Sequence, residues 1–377
     1  MEVRGDVGSG PREQVALTRL AHLLELIDRR LTRLSLLTVA LLVVVVSVLK
    51  RGIDLGAPGF GEVFSLQSWP EPVNQYPYSS YGVRIIAWVL QVEDVTSYLL
   101  IGVVLSTGFA ALVTWRVSKH FSGRSARFAL LILLGGPTVW VLSGRFVHTD
   151  AFALAGAVLF VLSGRRMRWA LVAAVLALLG APEQAIVIFL GAYLLSLTTA
   201  FRDYRRNAAA GLALVAVGQV VLWIWASQVG VESRVSLLPD LVRRSIEIGL
   251  SNFPLTLYSG YGVGILVLSW TTLSANRREI PLVLAASLLI PLGVTLVTGD
   301  QTRVLVIASL ATISMSLAVY GKLILASLDL HSRWGLGAAA VLIALLPAVE
   351  VQGWNVTSPW VTYFSLVQRY AIDPLPL

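Results

Sequence analysis

The chain has 377 residues, 56% of them apolar and only 13% charged, with a mean hydropathy of +0.77, far from the roughly quarter-charged composition of a soluble domain. That reads as a membrane protein, and its formal net charge of +8 needs no nucleic-acid partner once the basic residues are sorted by loop. The complete lack of cysteine excludes disulfide staples, thiolate metal sites, iron–sulfur clusters and a cysteine nucleophile.

Residues 1–33 are polar, then charged and amphipathic, and read as a cytoplasmic segment rather than a signal peptide, since no cleavable apolar core is present. A spanning helix needs about 20 apolar residues. By that measure candidate spans fall near 34–49, 95–115, 127–143, 151–163, 169–180, 185–200, 208–229, 259–273, 280–298, 304–325 and 335–349. The expectation is an all-α polytopic membrane protein with about 11 transmembrane helices over 34–349. An outer tail follows over 350–377, carrying Trp354, Trp360, Tyr363, Phe364, Tyr370 and the sequon Asn355-Val356-Thr357. With the N-terminus inside, 20 of the 29 Lys and Arg fall on cytoplasmic segments, so the positive-inside rule predicts N-terminus cytoplasmic and C-terminus outside. Acidic residues lean the other way, eight inside and thirteen outside, and several stand alone at the outer edge of an apolar span.

The first of these is Asp54, directly after the first span and the basic pair Lys50-Arg51. The rest of outer segment 51–94 is aromatic, and Gly59–Trp69 predicts a short helix lying in the interface. Arg145, His148 and Asp150 follow within one and a half turns at the opening of the fourth span, where Asp150 would serve as an N-cap or as part of a polar site. The fifth span, Trp169–Gly180, rises only about 18 Å of a roughly 30 Å hydrocarbon core. Its turn at Ala181-Pro182-Glu183-Gln184 therefore either sits at the interface or sets Glu183 in an outward-opening polar cavity. A second interfacial segment is expected in 230–258, with Leu237, Leu238 and Leu241 opposite Arg243, Arg244 and Glu247. The link Gly299-Asp300-Gln301-Thr302-Arg303 is either an internal Asp–Arg pair, a solvated hairpin, or an anion site in which Arg303 forks onto a phosphate at a helix start.

No Walker A motif, dinucleotide fingerprint, His-Glu-x-x-His or Gly-x-Ser-x-Gly elbow is present, so nucleotide-driven pumping and the usual hydrolase chemistries are not expected. The Arg51-Gly52-Ile53-Asp54 acid after the first span, the long first outer loop, the Gly-Arg-Phe-Val-His-Thr-Asp opening of an early helix and the short fifth–sixth hairpin resemble the GT-C superfamily of membrane glycosyltransferases over roughly the first 200 residues. The resemblance implies a polyprenyl-phosphate-linked sugar donor and a glycan, lipid or protein acceptor at the non-cytoplasmic face, and the richness in Arg, Ala, Val and Leu fits a bacterial plasma membrane. On it Asp54 is the general base, Arg145 and Arg303 meet the leaving phosphate, and His148, Asp150, Glu183 and Asp300 bind or orient substrate. No metal is implied, although such acids could bind a divalent ion. A polysaccharide polymerase or ligase using Arg234, Arg243 and Arg244, and a secondary transporter, are the alternatives.

Overall fold

The computed structural model of the protein describes residues 11–52, 81–92, 95–144, 150–163, 166–228, 238–295, 298, 300–329, 333–352 and 355–357. Of these, 87% are helical. Helix α1 (Pro11–Arg33) carries proline at its start, where a missing N–H is harmless. Ser35 caps α2 (Leu36–Arg51) by accepting the Thr38 N–H at 3.0 Å. Gly52 ends α2 at φ 75°, its N–H closing on the Val48 carbonyl at 2.7 Å, a left-handed stop that favours glycine.

The chain continues through α3 (Tyr81–Val89), α4 (Val95–His120), α5 (Gly123–Leu134), α6 (Pro137–Ser143), α7 (Asp150–Leu162), α8 (Met167–Gly180) and α9 (Pro182–Ser196). A 3₁₀ turn, Thr199–Tyr204, leads into α10 (Arg205–Gln228), followed by α11 (Leu238–Ser251), α12 (Phe253–Tyr261) and α13 (Gly264–Ser274). The last helices are α14 (Ile280–Thr295), which carries a π turn over Ala285–Leu289, α15 (Gln301–Leu328) and α16 (Gly335–Leu345).

Three helical stretches are long and apolar enough to cross a membrane: Leu100–His120, Thr199–Trp225 and Gln301–Leu328. The number rises to five if each of two bent pairs is one span. The first pair, α5 and α6, bends by 46° at Gly135-Gly136-Pro137, since proline cannot donate back into the preceding turn. The second, α12 and α13, turns by 94° at Gly262, where φ is +50°. The two breaks face each other, because a Cβ on Gly262 would stand 2.6 Å from Cδ of Pro137. Neither bend was legible as more than an apolar run.

Helix α15 is the axis of the bundle, with 83% of its most apolar window buried among other helices. Small residues bring the surrounding helices close. On α7 and α8, Ala153, Ala157, Ala173 and Ala177 are fully buried, and a Cβ on Gly156 would stand 2.6 Å from the Ala173 carbonyl. Between apolar helices such approaches supply the van der Waals contact that lipid would otherwise match.

Among the described residues the structure departs from an all-helical reading at one place. Glu350–Gln352 and Asn355–Thr357 form an antiparallel pair in the register Glu350↔Thr357, so the sequon lies on a strand. The strand begins by docking on the bundle: Val351 is buried and its N–H donates to Oγ1 of Thr302 at 2.8 Å. The interfacial helix expected at Gly59–Trp69 lies outside the described residues, whereas α11 forms within 230–258 and carries an exposed Arg243–Glu247 pair one turn apart.

Candidate functional site

The buried charges of the described residues gather at the two ends of α15, which at 28 residues is about 42 Å long. At the Arg303 end, the first turn of α15 faces the start of α7. The Arg303 guanidinium takes the Asp150 carboxylate side-on, Nε donating to Oδ2 at 2.7 Å and Nη2 to Oδ1 at 2.8 Å. Asp150 is almost wholly buried, with 1% of its side chain exposed, and Arg303 nearly so. Asp300 stands beside the other edge, its Oδ2 4.0 Å from Nη1, and does not cap α15 with its side chain. Charge-assisted forks of this kind fix the plane of the guanidinium as well as its position.

Next to this pair a polar seam runs to the end of α2. Oγ1 of Thr302 donates to Oγ of Ser259 at 2.7 Å and accepts the Val351 N–H. One residue back along the strand, Glu350 is ion-paired with Arg51, whose guanidinium lies over Gly144. Lys50 is buried, donates to the Ile343 carbonyl at 2.5 Å and stands 5.2 Å from the Trp140 ring centroid. The Tyr258 hydroxyl donates to the Pro347 carbonyl, and its ring is 6.2 Å from that of Trp140.

At the other end Arg124 holds two carboxylates. Its Nε donates to Oδ1 of Asp28 at 3.0 Å, and Nη1 and Nη2 reach Asp329 at 2.5 and 3.1 Å. The same carboxylates accept the N–H groups of Leu336 (3.1 Å, from Asp28) and Gly335 (3.0 Å, from Asp329) at the start of α16. Every oxygen of this knot has a partner, and its role is to tie α1, α5, α15 and α16 together. At the α13–α14 turn, Glu279 accepts both the N–H and the hydroxyl of Thr199, which hold its carboxyl below the usual carboxylate range.

Of the residues expected to form a site, Asp150, Asp300 and Arg303 are brought together. Glu183 sits in the first turn of α9 after a break of one residue, Ala181, with its side chain exposed. Asp54, Arg145 and His148 lie outside the described residues. Among the described residues no three His, Asp or Glu side chains are grouped to hold a metal ion. Sequence reasoning missed Lys50, Arg51, Glu350, Thr302 and Tyr258. The signal available for Arg51 and Glu350 was a basic pair, Lys50-Arg51, at the end of one apolar run and a lone acid at the end of another.

No protein-family model, curated protein or solved structure matches this chain.

Proposed function

We propose that the protein is a membrane glycosyltransferase that moves a sugar from a polyprenyl-phosphate carrier to an acceptor hydroxyl at the non-cytoplasmic face. In this reading the chain crosses a bacterial plasma membrane about eleven times, with the N-terminus inside and the Arg303 end of α15 outside. The observation that carries the reading is the buried fork of Asp150 and Arg303 at the start of α15, which brings two of the expected site residues together and sets the Nη1 edge of the guanidinium 4.0 Å from Oδ2 of Asp300.

The acceptor oxygen attacks the anomeric carbon while its proton passes to Asp54, and the bond from that carbon to the carrier phosphate breaks with its electron pair left on the phosphate. Fixed cations in a water-poor site stabilise the departing charge. Arg303, its plane set by Asp150, and Arg145 fill that role, with His148, Glu183 and Asp300 orienting the sugar. Support for the sidedness is the agreement between two separate sortings. Residues assigned inside by the positive-inside rule pair with one another (Asp28, Arg124, Asp329), and those assigned outside do the same (Arg51 with Glu350, Asp150 with Arg303).

A secondary transporter is the second reading, favoured by the two bent helix pairs whose breaks meet at Gly262 and Pro137. Asp54→Asn separates the two. As a general base Asp54 contributes roughly 10²- to 10⁴-fold in rate, so turnover of a polyprenyl-phosphate sugar by the purified protein falls by that factor while donor binding persists. Turnover within a few fold of the unaltered protein, or solute movement across vesicles without transfer, rejects the enzyme.

A further inference from the structure

Helix α1 has three distinct sides. Leu24 and Asp28 form the buried seam, packed so closely on α16 that a Cβ on Gly337 would stand 2.1 Å from the Leu24 carbonyl. Glu25, Arg29 and Thr32 face an open cleft of about 460 Å³ shared with Arg124 and Arg333. Leu20, Leu23 and Leu26 are 50%, 51% and 46% exposed. At 100° per residue these three leucines share an arc of about 120°; Glu25, Arg29 and Thr32 lie roughly 150° from its centre, and Arg33, which also lines the cleft, about 80° from it. With six Arg, Asp and Glu residues between Arg19 and Arg33, the helix is too polar to span a bilayer.

We propose that α1 lies flat in the membrane interface at the Arg124 end of the bundle, with Leu20, Leu23 and Leu26 in the acyl boundary and the Glu25–Arg29 side toward water, and that it binds anionic phospholipid. Three observations converge on a lipid occupant. The next helix in the chain, α2, also leaves large apolar side chains uncovered, with Leu37, Leu41, Leu42 and Val45 exposed. The opposite side is an open polar cleft rather than a second apolar face, as an in-plane helix requires. Arg19 and Arg30 bracket the leucine patch at its two ends on the same arc, so their stems run along lipid while their guanidinium groups reach the phosphate level. Basic side chains at that depth favour an anionic headgroup. This inference requires only that the bundle is in a membrane and is independent of the glycosyltransferase reading.

Because the protein contains no cysteine, single nitroxide labels report the immersion of the full chain in nanodiscs of phosphatidylcholine with phosphatidylglycerol. Labels at Leu20→Cys, Leu23→Cys and Leu26→Cys meet oxygen and are shielded from a water-soluble nickel chelate, whereas a label at Arg29→Cys shows the reverse. All four replaced side chains except Leu26 are at least half exposed or paired only with an i,i+4 partner, and melting temperatures equal to that of the unaltered protein verify the fold. Leucine labels shielded from both reagents would mean that a protein surface or a second copy covers the face, and labels open to nickel would put it in water; either result overturns the proposal. In the second arm, native mass spectrometry counts phosphatidylglycerol retained by the Arg19→Gln/Arg30→Gln chain. Retention falls on the order of fivefold per arginine removed, and retention equal to that of the unaltered protein overturns the anionic preference.

Discussion

Asp150 and Arg303, 153 residues apart in the chain, meet as a side-on fork at the junction of α7 and α15, with Nε–Oδ2 at 2.7 Å and Nη2–Oδ1 at 2.8 Å. Asp150 was expected as an N-cap or as part of a polar site, and Arg303 in a pair with Asp300, in a solvated hairpin or on a phosphate. Their pairing makes one a holder of the other: Asp150 sets the orientation in which Arg303 presents its remaining edge beside Asp300.

Removing either partner strands a buried charge. Arg303→Ala and Asp150→Asn are each expected to lower stability by about 3–5 kcal/mol in thermal unfolding in detergent. The double change Asp150→Leu/Arg303→Met is expected to be milder than either single change, because no charge is left behind. Arg303→Lys keeps the charge but loses the fork, and so falls between the unaltered protein and the alanine variant. Additive losses in the double variant would show that the pair is not coupled.

The Arg124 knot makes the same kind of forecast at the other end. Arg124→Gln leaves Asp28 and Asp329 facing each other without their cation, and α1 should loosen from α16 at a cost of about 3 kcal/mol. Amide exchange over Leu24–Leu31 and at Gly335–Leu336 measures this. Asp28→Asn is expected to do less, since an amide oxygen still accepts the Leu336 N–H.

Gly262 sits at φ +50° against Pro137. Gly262→Ala therefore adds left-handed strain of about 1–2 kcal/mol to a clash of about 1–3 kcal/mol, and the melting temperature should drop accordingly. Gly108→Ala is the control: a Cβ there meets nothing within 4 Å, and in a helix it should be neutral or slightly stabilising.

The split of basic residues predicts sidedness. Single cysteines at Asn74 and Ser236 should label from outside intact cells, and one at Ser122 only after permeabilisation. Labelling of Ser122→Cys in intact cells with Asn74→Cys protected reverses the topology and removes the basis for an outer catalytic face.

Composition, with 13% charge in long apolar runs, pointed to a helical membrane protein, and the described residues are 87% helical with three to five stretches long and apolar enough to cross a bilayer. Apolar runs marked where helices lie, because backbone bonds in a helix close within four residues, but the stop at Gly52 and the break before Pro137 appeared only in the structure. Lone charges at the ends of apolar runs pointed to Asp150, Asp300 and Arg303. What the tertiary structure decided was the pairing: Asp150 with Arg303, Arg51 with Glu350, Arg124 with both Asp28 and Asp329, and the breaks of two bent helices against each other. Helices that are apolar on every side carry no amphipathic stripe to say which face meets which neighbour. Their mutual register is set by close contacts of small residues, at Gly156, Gly262 and Gly337, and that register places one lone charge opposite another.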